Sequence, residues 1–572
     1  MTTFSPLLRI LLALAVTLVV LPYAHGRVLV FGMLTGHPEP LFMALLAVAV
    51  VAIIGLTWNV YPQIATRKWA KAVLPVVFFG WLLETALLVW LRSGTLIPKT
   101  YVLALFLPAT LWLIWLAWMC YRPWPWGLRL GLLIVLLADL ALFFMLIRVD
   151  GLTGDGDVNF AWAGPRVRQE ITEKQATGPV KLTADAARDY AQFLGPQRLG
   201  ILPEAKLLPD WKAHPPREVW RKKVGEGWSS FAVVGDLAYT QEQRPEGESV
   251  VCYRLPDGAL VWRHSDEVNY TSSIGGPGPR ATPTVAQGRV YAVGATGILN
   301  CLDAETGKRL WSVDIQQDNQ ADAIAHGVCA SPLLLEEKVI VCPTGSNGRS
   351  LVAYHKETGT RLWQGGTHQA SYGSPLVTEL AGVRQILLHN SEGVAGHDPS
   401  SGQVLWFFPW TNLEKVNCSQ PIPHASGPDQ VFVSTGYGTG CALIQVKRAG
   451  DRWTTETLWQ NRLLKNKFTT SVLYKGHLYG LDDGILACLD VKTGARLWKA
   501  GRYQHGQILL AGNLILVQAE DGKVHLVEAR PDALHELGTI PALKGKTWNN
   551  PVLAGKYLLV RNDQEAACYE LP

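Results

Sequence analysis

The chain has 572 residues, of which 48% are hydrophobic and 17% charged, and its formal net charge is +5. This composition excludes an intrinsically disordered chain, and the length allows several domains. Residues 1–150 carry a net charge of +6 and the remaining 422 residues a net charge of −1. Because phosphate binding needs a basic surface, the near-neutral C-terminal body argues against nucleic acid as a partner.

Residues 1–150 are predicted to form a helical membrane domain. A bilayer core is crossed by about 20 apolar residues per helix. Five stretches are long and apolar enough, which predicts five transmembrane helices over residues 7–24, 41–58, 69–91, 101–120 and 128–147. The first stretch has an alternative interpretation as a cleaved signal peptide, which would leave four helices and the same final orientation.

The short loops between these stretches predict the orientation of the chain. With the N-terminus inside the cell, six Lys/Arg residues lie on the inner side and four on the outer side. We therefore expect a multi-pass protein of the bacterial inner (cytoplasmic) membrane, with the lipid bilayer as a partner and the C-terminal body on the periplasmic side.

Two acidic residues, Glu84 and Asp139, lie deep within the predicted membrane helices. A charge in the hydrocarbon core is costly, so both residues are candidates for an intramembrane function. The alternative is a protonated carboxyl group that is hydrogen-bonded to a neighbouring helix.

The C-terminal body contains a repeated segment. Its clearest copy, residues 301–311, reads CLDAETGKRLW. Asp and Gly in this segment are typical of a tight turn, and the Trp that follows can pack between neighbouring sheets. The spacing of 39 to 53 residues between successive tryptophans predicts a β-propeller. The tryptophans are Trp220, Trp262, Trp311, Trp363, Trp406, Trp459 and Trp498.

A second repeated position predicts the number of blades. It occurs eight times, just before a predicted hairpin, and proline follows it in five copies. The eight positions are Ser229, Thr282, Ser331, Ser374, Gln420, Thr470, Gly506 and Asn550. The last unit has no Trp strand of its own, so residues 217–220 are predicted to complete it and close the ring. We therefore expect a linker over 151–215 and an all-β eight-bladed propeller over 216–572.

These units resemble the pyrroloquinoline-quinone (PQQ) repeat, whose unit ends in A-x-[DN]-x-x-T-G-x-x-x-W. The resemblance covers about residues 220–572. It implies a fold like that of the quinoprotein alcohol dehydrogenases and of the BamB-type propellers. Five helices before a propeller also resemble the layout of membrane-bound quinoprotein glucose dehydrogenase, whose helices pass electrons to a membrane quinone.

The sequence also departs from the quinoprotein dehydrogenases. It contains no adjacent Cys-Cys pair and no Cys-x-x-Cys-His haem motif. About 355 residues serve eight blades, which resembles the compact BamB type and leaves little room for the insertions that build a cofactor pocket. No calcium-binding set of Glu, Asn and Asp can be carried over, and no metal site is predicted. PQQ with Ca²⁺ is thus an option that the resemblance allows without assuring it.

Propellers bind ligands at the central opening, near the starts of their innermost strands. Polar and aromatic residues at these starts can bind an anionic or aromatic ligand. The alternative is that polar side chains and water simply line the opening. The candidates are Trp228, Arg280, His326, Tyr372, Asn417, Lys467, His505, Gln507, Trp548 and Asn549.

The sequence favours a membrane-anchored, extracytoplasmic propeller that binds a ligand or scaffolds a protein. The first alternative is a PQQ-dependent dehydrogenase that acts on sugars or alcohols and passes electrons to membrane quinone. The second is a sensor or a transport accessory. Compact blades favour the binding module, whereas the five-helix layout favours the dehydrogenase.

Overall fold

The computed structural model describes residues 147–154, 156, 158–162, 171, 173–178 and 180–572, except for 273, 323, 344–348 and 367. Within these ranges, no helix has the length and hydropathy needed to cross a membrane. The five predicted membrane helices, with Glu84 and Asp139, lie outside the described residues. The domain boundaries predicted at 150 and 215 stay predictions.

The chain divides into two compact units. The first comprises 1–168 and 272–275, and the second comprises 169–271 and 276–572. The described part of the first unit contains an antiparallel hairpin of β1 (Ile147–Leu152) and β2 (Val158–Trp162), with an irregular register between Val149 and Leu152.

The second unit is an eight-bladed β-propeller, as the repeats predicted. Each blade is an antiparallel meander of four strands. Blade 1 contains β5 (Ala232–Val234), β6 (Leu237–Arg244), β7 (Gly247–Arg254) and β8 (Leu260–Asp266). Two-residue strands follow, β9 (Thr271–Ser272) and β10 (Gly276–Pro277). Blade 2 contains β11 (Thr284–Ala286), β12 (Arg289–Val293), β13 (Ile298–Asp303) and β14 (Arg309–Asp314). The short helix α1 (Ile315–Asn319) comes next, capped by the Asp314 carboxylate.

The next three blades repeat this order. Blade 3 contains β15 (Leu333–Leu335), β16 (Lys338–Val341), β17 (Leu351–His355) and β18 (Arg361–Gly365). Blade 4 contains β19 (Leu376–Leu380), β20 (Val383–His389), β21 (Gly393–His397) and β22 (Val404–Pro409). Blade 5 contains β23 (Ile422–Pro423), β24 (Gln430–Thr435), β25 (Gly440–Ala449) and β26 (Arg452–Asn461).

The last three blades complete the ring. Blade 6 contains β27 (Val472–Tyr474), β28 (His477–Asp482), β29 (Ile485–Asp490) and β30 (Arg496–Arg502). Blade 7 contains β31 (Gln507–Ala511), β32 (Leu514–Gln518), β33 (Val524–Glu528) and β34 (Glu536–Ile540), and β3 (Ile201–Leu202) adds to β31 in parallel. Blade 8 contains β35 (Val552–Ala554), β36 (Tyr557–Arg561), β37 (Glu565–Glu570) and β4 (Arg217–Lys223).

The predicted ring closure is confirmed. Strand β4, from the start of the propeller, pairs antiparallel with β37, and Trp220 lies opposite Cys568 in the register. The closure also contains buried charge-assisted hydrogen bonds, because Arg561 of blade 8 donates to the carbonyls of Gln241 in blade 1 and of Gly225 in the loop before it. Joining the first and last strands of the propeller in one sheet removes the free edges that an open ring would expose.

Most of the repeated tryptophans join their own blade to the next one. The indole N–H of Trp262 in blade 1 donates to the carbonyl of Ala304 in blade 2 at 2.9 Å. The ring packs on Gly307, where an added Cβ would lie 2.4 Å from the indole. Trp220 and Trp311 make the corresponding contacts with the following blades. The Thr-Gly turn of the repeat therefore requires glycine for two reasons. Glycine adopts the positive φ of the turn, and it leaves room for the indole that packs on it.

A series of hydrogen bonds joins the starts of the innermost strands of blades 1 to 6. The side chain at the second repeated position accepts a bond from the backbone N–H of the preceding blade. In this way Ser230 donates to Thr282, Thr282 to Ser331, Ser331 to Ser374, Ser374 to Gln420, and Gln420 to Thr470. This small polar position therefore serves blade-to-blade bonding.

The hydrophobic cores of the propeller lie between neighbouring blades. Cysteines at one strand position in four blades are fully buried and face the repeated tryptophans in the register: Cys252, Cys301, Cys488 and Cys568. All eight described cysteines are free thiols. The four cysteines opposite the tryptophans therefore act as small buried apolar side chains.

The segment before β4 covers one end of the propeller. Tyr190 exchanges backbone hydrogen bonds with Val233, and Gly200 and Leu202 accept bonds from blade 7. Arg198, 2% exposed, donates to the carbonyls of Ser331 and Pro332 in blade 3. The segment thus crosses from blades 1 and 2 to blade 7.

Candidate functional site

The loops that lead into the innermost strands line one end of the central channel, and we call this end the mouth. Turns between the first and second strands, at Gly235 and Gly512, lie at the opposite end. The backbone N–H of Gly235 donates to Asp189, which directly precedes the segment 190–202, and the backbone N–H of Gly512 donates to the Leu202 carbonyl. The segment 190–202 therefore covers the end away from the mouth. The ten sequence candidates lie in the mouth loops or at the first residue of an innermost strand.

Aromatic rings from blades 1, 6 and 8 meet at the mouth. The ring of Trp548 lies 5.0 Å from Trp228 and 5.0 Å from Phe468, in tilted contacts. The Lys546 ammonium lies over both indoles, 4.3 Å from Trp548 and 4.9 Å from Trp228. This arrangement combines flat apolar surface with a positive charge.

Two further candidates adjoin this aromatic group. The ring of His505 lies 5.7 Å from Phe468, and its backbone N–H donates to Glu520. The other oxygen of Glu520 accepts from the indole N–H of Trp548. Lys467 lies over the rings of Tyr437, at 4.9 Å, and Phe468, at 5.4 Å. The structure therefore brings Trp228, Lys467, His505 and Trp548 together.

A second group contains Arg280, His326 and Tyr372. The guanidinium of Arg280 lies 4.7 Å from the ring of Tyr270 and donates to the carbonyl of Gly276. The rings of His326 and Tyr372 are 5.4 Å apart. Burial lowers the pKa of His326 to about 4, and the charge of Arg280 lowers it further. His326 is therefore neutral at pH 7.

Burial also shifts the other pKa values of this group. It lowers the pKa of Arg280, although Tyr270 and Glu248 act in the opposite direction. The pKa of the neighbouring Cys329 thiol rises to about 12 through burial, so this cysteine is not a thiolate nucleophile at neutral pH.

Three candidates bury their amide groups in structural hydrogen bonds. Asn417 donates to the Asn390 carbonyl and accepts from Thr435. Gln507 donates to carbonyls of blades 6 and 8, and Asn549 donates to a carbonyl of blade 1. These side chains join mouth loops and neighbouring blades. A ligand-binding role for any of the ten candidates stays a prediction.

The sequence reasoning missed several residues of the mouth. Tyr270, Tyr437, Phe468, Glu520 and Lys546 contact the predicted candidates but were not selected. Phe468 and Lys546 stand within two residues of Lys467 and Trp548, so a search of the whole loops would have included them. Tyr437 and Glu520 belong to turns between the second and third strands, and only the fold places these turns at the mouth.

The acidic groups of the mouth do not fit a calcium ion. Glu248 accepts bonds from the backbone of Ala295 and Thr296, and Glu520 is engaged with His505 and Trp548. Among the described residues, no three His, Cys, Asp or Glu side chains converge as a metal site. Calcium needs six to eight oxygen ligands, which this donor set does not supply.

Comparisons with known proteins agree with this propeller. The sequence profile of the family described as "Outer membrane protein assembly factor BamB" matches residues 213–320 and 246–500, together just over half of the chain. Outer membrane protein assembly factor BamB of Shewanella oneidensis is 22% identical over 317 residues, covering 51% of this chain and 75% of that protein.

Two further comparisons concern a quinoprotein dehydrogenase and a solved structure. Quinoprotein ethanol dehydrogenase of Pseudomonas putida is 25% identical over 180 residues, 28% of each chain. The crystal structure of BamB from Moraxella catarrhalis aligns with 62% of this chain and 98% of that one, at 18% identity and a TM-score of 0.46.

Proposed function

Because this chain belongs to the family of PQQ-repeat propellers described as outer membrane protein assembly factor BamB, we propose that its propeller is a scaffolding module that holds a partner protein at the mouth face. The observation that carries the proposal is the difference between the two ends of the propeller. The far end is covered by the protein's own segment 190–202, whereas the mouth presents aromatic and cationic side chains.

Exposed apolar side chains on the rim support a protein partner. Leu413, in the loop before blade 5, is 97% exposed, and Tyr437, in the adjacent turn, is 37% exposed. The two segments are joined by a hydrogen bond from Thr439 to the Thr411 carbonyl. Large apolar side chains beside a polar rim are typical of protein-binding surfaces.

We further propose that residues 1–150 anchor this module in the bacterial inner membrane, with the propeller in the periplasm. The support is the hydropathy of the five stretches and the bias of Lys and Arg in their loops. A fusion at Pro572 to a phosphatase that is active only in the periplasm is expected to be active. The opposite orientation predicts activity only for a reporter that works in the cytoplasm.

Site-specific photo-crosslinking tests the scaffold proposal. A photoreactive amino acid replaces Leu413 or Tyr437 on the mouth face, and Leu310 or Leu362 on the outer strands as controls of similar apolarity. In cells that produce the full-length protein, the mouth positions are expected to give one discrete protein adduct that the control positions do not give. Equal labelling from both sets, or no adduct from the mouth, would refute a mouth-face partner.

A quinoprotein dehydrogenase is the second candidate, favoured by the match to quinoprotein ethanol dehydrogenase and by the aromatic surface of the mouth. Trp228, Trp548 and Arg280 would suit a planar anionic cofactor, but the acidic side chains do not fit its calcium ion, so we derive no catalytic step. Incubating full-length protein with PQQ and Ca²⁺ and measuring dye reduction with alcohols or sugars tests this candidate. Sustained reduction would favour it over the scaffold.

A further inference from the structure

One blade of the propeller carries an excess of positive charge. Residues 462–502, which comprise blade 6 and the loop before it, contain eight Lys/Arg and three Asp/Glu, a net charge of +5. The rest of the C-terminal body, from residue 151 onward, carries a net charge of −6. Because nearby charges add their potentials at the surface, blade 6 attracts negatively charged groups although the body as a whole does not.

At the rim of the mouth, one buried carboxylate faces three cations. Asp482 is 1% exposed, and its oxygens lie 3.0 Å from Lys465 and 2.5 Å from Lys499. Arg496 approaches the same carboxylate at 3.7 Å. Even with Asp483, which pairs with Lys465, this group has more positive than negative charges. Arg462, exposed in the same loop as Lys465, adds to the excess.

The positive charges continue from this rim into the mouth along aromatic rings. Lys467 lies over Phe468, Phe468 contacts Trp548, and Lys546 lies over Trp548. We call this path the basic track. It comprises Arg462, Lys465, Lys467, Phe468, Lys546 and Trp548, and it leads from the edge of blade 6 to the aromatic group between blades 6, 8 and 1.

We propose that the basic track binds an acidic segment of the partner protein that also contains aromatic side chains, an inference that rests on the scaffold function above. Carboxylates would pair with the lysines and Arg462, and rings would pack against Phe468 and Trp548. The track passes from the rim into the concave mouth, a path that an extended peptide can follow. A flat lipid surface would reach only the rim.

Peptide binding to the full-length protein tests this inference. The probe is a fluorescein-labelled peptide of repeated Asp-Glu-Phe, compared with a Lys-Arg-Phe peptide and an Asn-Gln-Phe peptide by fluorescence anisotropy. The acidic peptide is expected to bind most tightly, and its affinity is expected to fall as salt is added. Equal binding of the three peptides would overturn the proposal.

Matched variants test whether the acidic peptide binds at the basic track. The triple variant Arg462→Gln, Lys467→Gln, Lys546→Gln removes three charges from the track without touching the cations at Asp482. It is expected to weaken binding of the acidic peptide by about tenfold or more. The control triple variant Arg452→Gln, Lys475→Gln, Lys492→Gln removes the same charge from the far end of the propeller and is expected to bind like the wild type. Equal losses in both variants would overturn the proposal.

Two outcomes separate this inference from the scaffold function. If mouth-face crosslinking succeeds but the acidic peptide binds no better than its neutral counterpart, the partner is recognised by other means and only the track proposal fails. If vesicles of phosphatidylglycerol bind through the track while the acidic peptide does not, the track recognises lipid, and the proposal is likewise wrong. Loss of the crosslink itself would refute the scaffold function.

Discussion

Replacing Gly307 with alanine tests the contact between tryptophan and glycine that joins neighbouring blades. Gly307 has φ +70°, and a Cβ added there would lie 2.4 Å from Cε3 and 2.5 Å from Cδ2 of Trp262. Gly288, in the same blade, has φ +74° and no atom within 4 Å of an added Cβ. The two glycines therefore differ in packing but not in backbone conformation.

The expected magnitudes follow from this difference. An alanine in the left-handed conformation costs about 1–2 kcal/mol, which is the whole effect expected for Gly288→Ala. Overpacking against the rigid indole adds about 1–3 kcal/mol, so Gly307→Ala is expected to lower the free energy of unfolding by about 2–5 kcal/mol. Urea denaturation of the full-length protein, followed by tryptophan fluorescence, measures both values.

A double-mutant cycle isolates the contribution of the indole. In a Trp262→Leu background the clash is absent, so Gly307→Ala is expected to cost no more than Gly288→Ala. If Gly307→Ala costs the same with and without Trp262, or no more than Gly288→Ala in the wild type, then the glycine is required only for its backbone conformation and the blade-to-blade contact is refuted.

Three further predictions concern buried polar groups. Because the folded-state pKa of His326 is lowered to about 4, the unfolded chain binds more protons between about pH 6.5 and 4, and stability is lost as pH falls through this range. His326→Asn is therefore expected to make the decline of Tm with acid shallower than in the wild type, and an unchanged slope would show that other groups cause it. Asn417→Ala removes bonds to Asn390 and Thr435 and is expected to lower the free energy of unfolding by about 1–3 kcal/mol in urea denaturation, and an unchanged value would refute this structural role. Arg561→Met leaves the buried Glu242 with fewer neighbouring cations and is expected to lower the free energy of unfolding by about 3–5 kcal/mol, whereas Arg530→Met on the surface is expected to leave it unchanged; similar costs would refute a structural role in ring closure.

Most of the fold could be predicted from the repeats, because the same local interactions occur in every blade. The turn that ends in Gly and the Trp that follows it recur every 39 to 53 residues, so even degenerate copies could be aligned. The closure by residues 217–220 followed from simple counting, since one unit lacked its last strand. Segment 190–202 has no such repeat. It crosses the propeller through hydrogen bonds to several blades, and only the folded ring brings those blades together.

The sequence could predict which loops form the mouth, but not which of their side chains face the opening. Trp228, Lys467, His505 and Trp548 do converge, because equivalent positions in a closed ring face the same opening. Gln507 and Asn549 occupy comparable places in the sequence, yet their amides bond to neighbouring blades. Successive residues of an extended chain point to opposite sides, so a one-residue difference decides between the opening and the blade interface. Sequence spacing without a fixed register cannot make that choice.

The two ends of the propeller differ in how their polar groups are satisfied, and this difference bears on function. At the far end, segment 190–202 supplies Arg198 and backbone carbonyls to the blades, so the end is closed by groups of the same chain. At the mouth, the ammonium groups of Lys467 and Lys546 lie over the rings of Phe468 and Trp548. These contacts place positive charge beside flat apolar surface, so a ligand that carries both a carboxylate and a ring can contact both. The mouth is therefore the end at which an acidic ligand gains most from binding.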